Sequence, residues 1–268
     1  MLLTKTDGDR INTSENQLGL DVYFDKVKPS KGVNKNSVEE LERDAEHQFK
    51  QRFERVANRY IRLIKNGDKE TRDKAVLSLQ KYVKRLMVDY KWYWENLTPD
   101  RPTDDLLSDI EKLKSSVYKR SDVYFRKVNF VYRFFADDLV DEACVVSRDK
   151  VKKLVDICTR IQNAAIEAGV LTKSGNLQKR FFYRKDYYDL SQGEQTIERV
   201  RVEKEHASIP KTLIDLAEKL LPTQSGFFFG NTEYNGYYFL DITDCKRQFT
   251  KLLKSWKDDE VVYNIMSW

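Results

Sequence analysis

The sequence predicts an α+β protein, mostly helical, in which an antiparallel helical hairpin precedes a small mixed domain with a short β-sheet. Three observations carry this expectation. Apolar residues recur every three or four positions over two long N-terminal segments, the spacing of one helix face. Glycine (10) and proline (5) are scarce in 268 residues, which favours helices over a loop-rich β architecture. Near the C-terminus, Phe227 to Phe229 and Val261 to Trp268 have strand character.

Residues 1–37 read as a partly ordered polar leader. Within it, Leu18 to Phe24 (LGLDVYF) is either a short edge strand or a docking peptide. Ser37, with Glu40 three positions on, marks a helix start in the form of a capping box. The stripe Leu41, Ala45, Phe49, Phe53, Val56, Tyr60 and Ile64 then runs to a stop at Asn66-Gly67. A second stripe, Val76, Leu79, Val83, Leu86, Tyr90 and Tyr93, has the spacing of a heptad seam. The two helices form a hairpin over 38–98, and its seam is a candidate for packing against itself or against a second copy. Trp92 and Trp94 close it, and two indoles two residues apart cannot share a helix face.

Pro99 and Pro102 mark the expected boundary of an α+β domain over 99–268. A helix capped by Thr103 or Asp104 comes first. Asp122 to Asp137 enters as a strand or helix and continues as helix. Ser147 caps a helix ended by Gly169. Residues at about 170–206 form a polar insertion, read as a hairpin or loop region with a strand at Thr196 to Val202. Pro210 opens a further helix. The run Phe227 to Phe229, held between Gly226 and Gly230, reads as a strand buried on both faces. After a helix over about 235–256, Val261 to Trp268 forms a last strand that pairs with it.

Charge and cysteine usage narrow the function classes. Basic side chains (48) barely outnumber acidic ones (43), a mixed helical surface that is no nucleic-acid signature by itself. The three cysteines, Cys144, Cys158 and Cys245, match no zinc or redox spacing. Cys158 and Cys245 fall on apolar helix faces, where cysteine behaves as a small hydrophobe. No signal peptide is visible, and no apolar run approaches the ~20 residues that cross a bilayer. The expectation is a soluble protein with no membrane partner.

Four segments together resemble a family of small phage and prophage proteins of uncharacterised activity: FRKVNFVYRFF (125–135), VSRDKVKKLVDIC (146–158), LLPTQSGFFFGNTEYNGYYFLDI (220–242) and the closing MSW (266–268). The resemblance covers about residues 120–268 and leaves out the hairpin. It implies a phage-type or mobile-element origin, a compact α+β domain and no particular chemistry; with sparse cysteines and no visible signal peptide, the expected place is the host cytoplasm. The family helix carries His and Trp where this chain has Tyr132 and Phe134. It carries Asp-Glu where this chain has Asn235-Gly236, so roles resting on those groups do not transfer.

The residues point away from catalysis. The two histidines, His47 and His206, lie in charged surroundings, and no phosphate loop, dinucleotide fingerprint or nucleophile elbow is present. Carboxylates cluster at Asp137, Asp138, Asp141 and Glu142, and again at Asp241 and Asp244, a pattern that serves more often as a solvated face than as a cation site. No cofactor or metal is expected. Two binding surfaces are candidates. Trp92 and Trp94, with Tyr23 and Phe24 of the leader, suit a host or phage protein partner, such as a component of a host defence system or of the virion. Lys179, Arg180, Arg184 and Lys185, interleaved with Phe182 and Tyr187, suit single-stranded nucleic acid, where cations meet phosphates and rings stack on bases.

Overall fold

A computed structural model of the chain describes residues 20–86, 94–178, 181, 186–189, 199–202, 207–226 and 229–267. It is mostly helical α+β. The helices are α1 (Val38–Asn66), α2 (Lys69–Leu86), α3 (Thr103–Ser116), α4 (Asn129–Phe135), α5 (Arg148–Glu167), α6 (Lys211–Leu220) and α7 (Gly236–Ser255). The strands are β1 (Asp21–Val27), β2 (Val123–Arg126), β3 (Ala143–Val146), β4 (Asp186–Asp189), β5 (Arg199–Val202) and β6 (Val261–Ser267). A four-stranded antiparallel sheet has the order β2-β1-β6-β3, and β4 and β5 form a separate antiparallel pair. The described residues divide into two compact units, one of 25–122 and 258–263, the other of 20–24, 123–257 and 264–267.

The first unit is a three-helix assembly. Ser37 caps α1 by accepting from the Glu40 amide at 3.4 Å, while the Glu40 carboxylate reaches back to the Asn34 amide at 2.8 Å. Gly67 ends α1 with its amide on the Leu63 carbonyl, and a Cβ there would stand 2.5 Å from that oxygen. The turn therefore needs glycine for close approach. Phe53, Ala57 and Ile64 of α1 and Val76, Leu79 and Val83 of α2 share one core with Leu106, Ile110 and Leu113 of α3. Thus α3 belongs with the hairpin, and the Pro99–Pro102 break is internal to this unit. The clamp is Arg72, whose guanidinium donates to the Pro99 and Arg101 carbonyls and to the Thr103 hydroxyl. Pro102, with no side-chain cap, occupies the N-cap of α3 in place of the expected Thr103 or Asp104. Val76, Leu79 and Val83 of the expected seam face this core, and Tyr90 and Tyr93 lie outside the described residues.

The second unit packs α5 on α7. Ser147 caps α5 by accepting from the Lys150 amide at 3.2 Å, as its sequence position predicts. Val151, Leu154, Cys158, Ile161 and Ala165 meet Tyr238, Phe239, Ile242, Cys245, Phe249 and Leu252 in the buried stripes of the two helices. The Cys158 and Cys245 sulfurs lie 3.8 Å apart, both free and fully buried. Gly236 opens α7 at a point where a Cβ would meet Leu177 at 2.7 Å.

Three strand expectations change. The segment 21–27 is an interior strand of the sheet, neither an edge nor a docking peptide, because Leu20, Val22 and Phe24 are fully buried. The last strand, β6, lies between β1 and β3, so it does not pair with 227–229. Phe229 sits in a bend with its amide on the Gly226 carbonyl and its ring folded over Gly226. Its backbone turns where a strand would extend, and Phe227 and Phe228 lie outside the described residues.

Candidate functional site

The outer face of α7 carries the most distinctive surface among the described residues. Asn235 starts the helix by accepting from the Tyr237 and Tyr238 amides at 3.0 and 3.4 Å. With the apolar stripe turned inward, Thr243, Lys246, Arg247, Thr250, Lys251, Lys254 and Ser255 fall at alternating steps of three and one. That spacing is a single helix face about 18 Å long at 1.5 Å per residue. Together with Gln162 of α5 and Ser174 of the connection after it, these residues line an open groove of about 660 Å³. Among the described residues, four linings are cations, four are hydroxyls and one is an amide, with no carboxylate in the lining.

The groove is built at one end and open along the rest. The Lys246 ammonium donates to Gln162 Oε1 at 2.7 Å, and Gln162 Nε2 donates to Thr243 Oγ1 at 3.2 Å. Gly175 (φ +83°) brings the connection down onto this network, where a Cβ would stand 2.7 Å from Thr243 Cγ2 and 2.9 Å from Gln162 Nε2. A larger residue would be strained there twice over, by its φ and by these contacts. Arg247 pairs with Asp244 along the helix. Lys251 and Lys254 are exposed and form no ion pair among the described residues. Two exposed ammonium groups beside hydrogen-bonded polar partners make a surface suited to anions.

A second feature lies where two of the family-like segments meet. Lys127, Asn129, Asn231, Glu233, Asn235 and Asp241 contribute to a pocket of about 210 Å³. Asn129 is almost fully buried, and its amide donates to the Phe229 and Asn231 carbonyls at 3.2 and 2.9 Å. This holds the 229–231 bend against the β2–α4 turn, where Lys127 (φ 59°) and Gly230 (φ +81°) adopt left-handed backbone. Burial pushes the Asp241 carboxyl up to about 7, and the nearby Asp244 charge adds to the rise. Such a group exchanges its proton near neutral pH. Glu233, the other pocket carboxylate, is engaged with the Asn231 and Asn235 amides.

The sequence candidates fall elsewhere. Trp94 packs against the core of the first unit, with Lys84 4.5 Å above its ring, and its buried Nε1 finds no acceptor among the described residues. Phe24 is fully buried, edge-on to Phe249 at 4.8 Å, so it is a core ring with no face for a partner. Tyr23 is half-buried and stacks on Tyr124 at 5.1 Å. Trp92 lies outside the described residues, as do Lys179, Arg180, Phe182, Arg184 and Lys185; the backbone of Tyr187 pairs with Arg201 between β4 and β5.

The acidic run resolves into a turn and an ion pair. Val140 and Ala143 exchange backbone hydrogen bonds around Asp141 (φ 48°) and Glu142 (φ 68°), and Asp138 pairs with Lys150. No group of three or more metal-ligating side chains occurs among the described residues, and no helix among them is long and apolar enough to cross a membrane. The cationic face of α7 was not among the sequence candidates, although its positions are those left over from the apolar stripe. Its second wall, Gln162 and Ser174, has no local signal. Comparison of the chain with family models, with curated proteins and with solved structures returns no match.

Proposed function

We propose that this chain is a phage-type accessory protein of the host cytoplasm that acts by non-enzymatic binding of a macromolecule, and that the macromolecule is a nucleic acid. The phage-type origin rests on the resemblance carried by 125–135, 146–158, 220–242 and 266–268. The choice of ligand rests on one observation: among the described residues four cations, of which Arg247 is ion-paired to Asp244, and four hydroxyls line one open groove with no carboxylate in its lining. Phosphates along a polymer neutralise such a row, and release of condensed counterions drives the association. The nearly balanced net charge of +5 makes the local segregation of sign the informative quantity.

Purification of the full chain from expressing cells at low salt tests this. The native protein is expected to carry nuclease-sensitive polymer that leaves in high salt. K246Q/K251Q/K254Q is expected to carry several-fold less. Equal loads on both proteins, or none on either, would overturn the assignment.

A further inference from the structure

We infer that the pocket lined by the β2–α4 turn, the 231–235 connection and the first turns of α7 is a site for a small zwitterion of amino-acid size, its ammonium held by Asp241 and its carboxylate by Lys127. None of these residues lines the α7 groove, so the site stands apart from the nucleic-acid reading.

Most polar groups of this pocket are spent inside the protein. Asn129 donates to the Phe229 and Asn231 carbonyls. Asn231 and Asn235 donate to Glu233 Oε2 at 3.2 and 3.4 Å, and Asn235 also caps α7. The Tyr238 hydroxyl donates to the Leu221 carbonyl at 2.8 Å. Two charged linings remain. Neither Lys127 nor Asp241 has a hydrogen-bond or ion-pair partner among the described residues, and they do not pair with each other. Lys127 is exposed and Asp241 half-buried, so the pocket offers a cation nearer solvent and a carboxyl further in.

Two unengaged groups of opposite sign in one pocket select a ligand that carries both partners. A lone cation is drawn to Asp241 and repelled by Lys127, and a lone anion the reverse. Burial and the Asp244 charge raise the Asp241 carboxyl to about 7, and no cation offsets them. A ligand ammonium supplies that missing charge. Lys127 holds left-handed backbone (φ 59°), which Asn and Gly adopt at lower cost. An ammonium is thus kept at a position where the backbone favours another residue.

Size fits the same class. A volume of about 210 Å³ is the share of about seven waters at ~30 Å³ each, which accommodates an amino acid of about seven to ten non-hydrogen atoms. Val128, Phe130 and Tyr238, all buried, provide apolar wall for its carbon skeleton.

A thermal-shift screen of the full chain at pH 7.5 is the test. The probes are the twenty L-amino acids and the straight-chain ω-amino acids of four to six carbons, each at 10 mM. At least one should raise the unfolding midpoint by about 2 °C or more. In calorimetric titration that zwitterion should bind at least about tenfold tighter than the amine lacking its carboxylate and than the acid lacking its ammonium. D241N and K127N should each weaken it by at least about tenfold. Asn at 127 suits the left-handed backbone, and a cooperative melt of each variant without ligand separates lost binding from lost folding. Should one variant fail to fold, the other and the two analogues still decide.

No shift from any probe, or equal binding by the native chain and both variants, overturns the site. Binding of the amine as tight as the zwitterion, lost in D241N and kept in K127N, overturns the role of Lys127 and with it the zwitterion.

Discussion

Asp241 shows how one side chain ties the fold to solution conditions. Its ordinary carboxyl value of 3.8 is raised to about 7 in the folded chain, with burial as the largest cause. Between about pH 4 and 7 the folded state therefore keeps a proton that the unfolded chain has released, and stability declines as pH rises through that window. Asp241→Asn should match the native protein near pH 4 and exceed it at pH 8, by ~4 kcal/mol or less. Urea unfolding at the two pH values checks this, and equal stabilities at pH 8 would place the carboxyl in water. A second residue-scale case is the turn at Asp141-Glu142, where two side-chain-bearing residues hold positive φ. The Asn-Gly pair is the preferred occupant of such two-residue turns. D141N/E142G should stabilise the protein by about 1 kcal/mol, read from the urea midpoint. Residues also mark where sequence reasoning fails. Three consecutive rings have strand propensity, yet the Phe229 backbone turns back on Gly226 and its ring lies edge-on to Tyr132 at 4.8 Å. Glycine on each side permits that turn, and ring density alone does not reveal it.

Elements were legible where local chemistry specifies them. Ser37 and Ser147 each accept the hydrogen bond that their sequence positions predict, because a cap involves residues three apart. The stripes are buried at Leu41, Ala45, Phe53 and Ile64 of α1, Val76, Leu79 and Val83 of α2, and through most of α5 and α7, while Phe49, Val56 and Tyr60 are half-buried and Tyr90 and Tyr93 lie outside the described residues. The place of α3 was not legible: two prolines read as a domain boundary, while a guanidinium 27 residues before Pro99 ties the Pro99 and Arg101 carbonyls to the Thr103 hydroxyl. Arg72 is mostly buried and makes charge-assisted bonds to two carbonyls and a hydroxyl. Arg72→Met should cost about 1–3 kcal/mol, since three partly buried acceptors lose a charged partner. Arg72→Lys should recover part of the loss, because an ammonium keeps the charge but not the planar fork. Chemical denaturation followed by circular dichroism gives both numbers. A Met variant as stable as the native chain would show that the apolar contacts of α3 suffice without the clamp.

At the scale of the whole molecule, the strand 21–27 has the largest consequence for so few residues. Leu20, Val22 and Phe24 are fully buried, and Phe24 touches both Phe135 and Phe249. A chain beginning at Lys28 removes an interior strand and opens the strands on either side. Loss of a cooperative thermal transition is the expected result. A sharp transition at the native midpoint would mean that the sheet closes without β1. The sequence by itself determined the helices, the serine caps of α1 and α5 and the inward stripe of α7, because each depends on residues within a turn or two of one another. Tertiary structure decided the sheet order, the joining of α3 to the hairpin and the existence of a groove. Those depend on groups far apart in the chain, as when Gln162 and Thr243, 81 residues apart, meet to wall one end of it. Local spacing encodes a face; a second wall exists only once folding has brought a distant segment beside it.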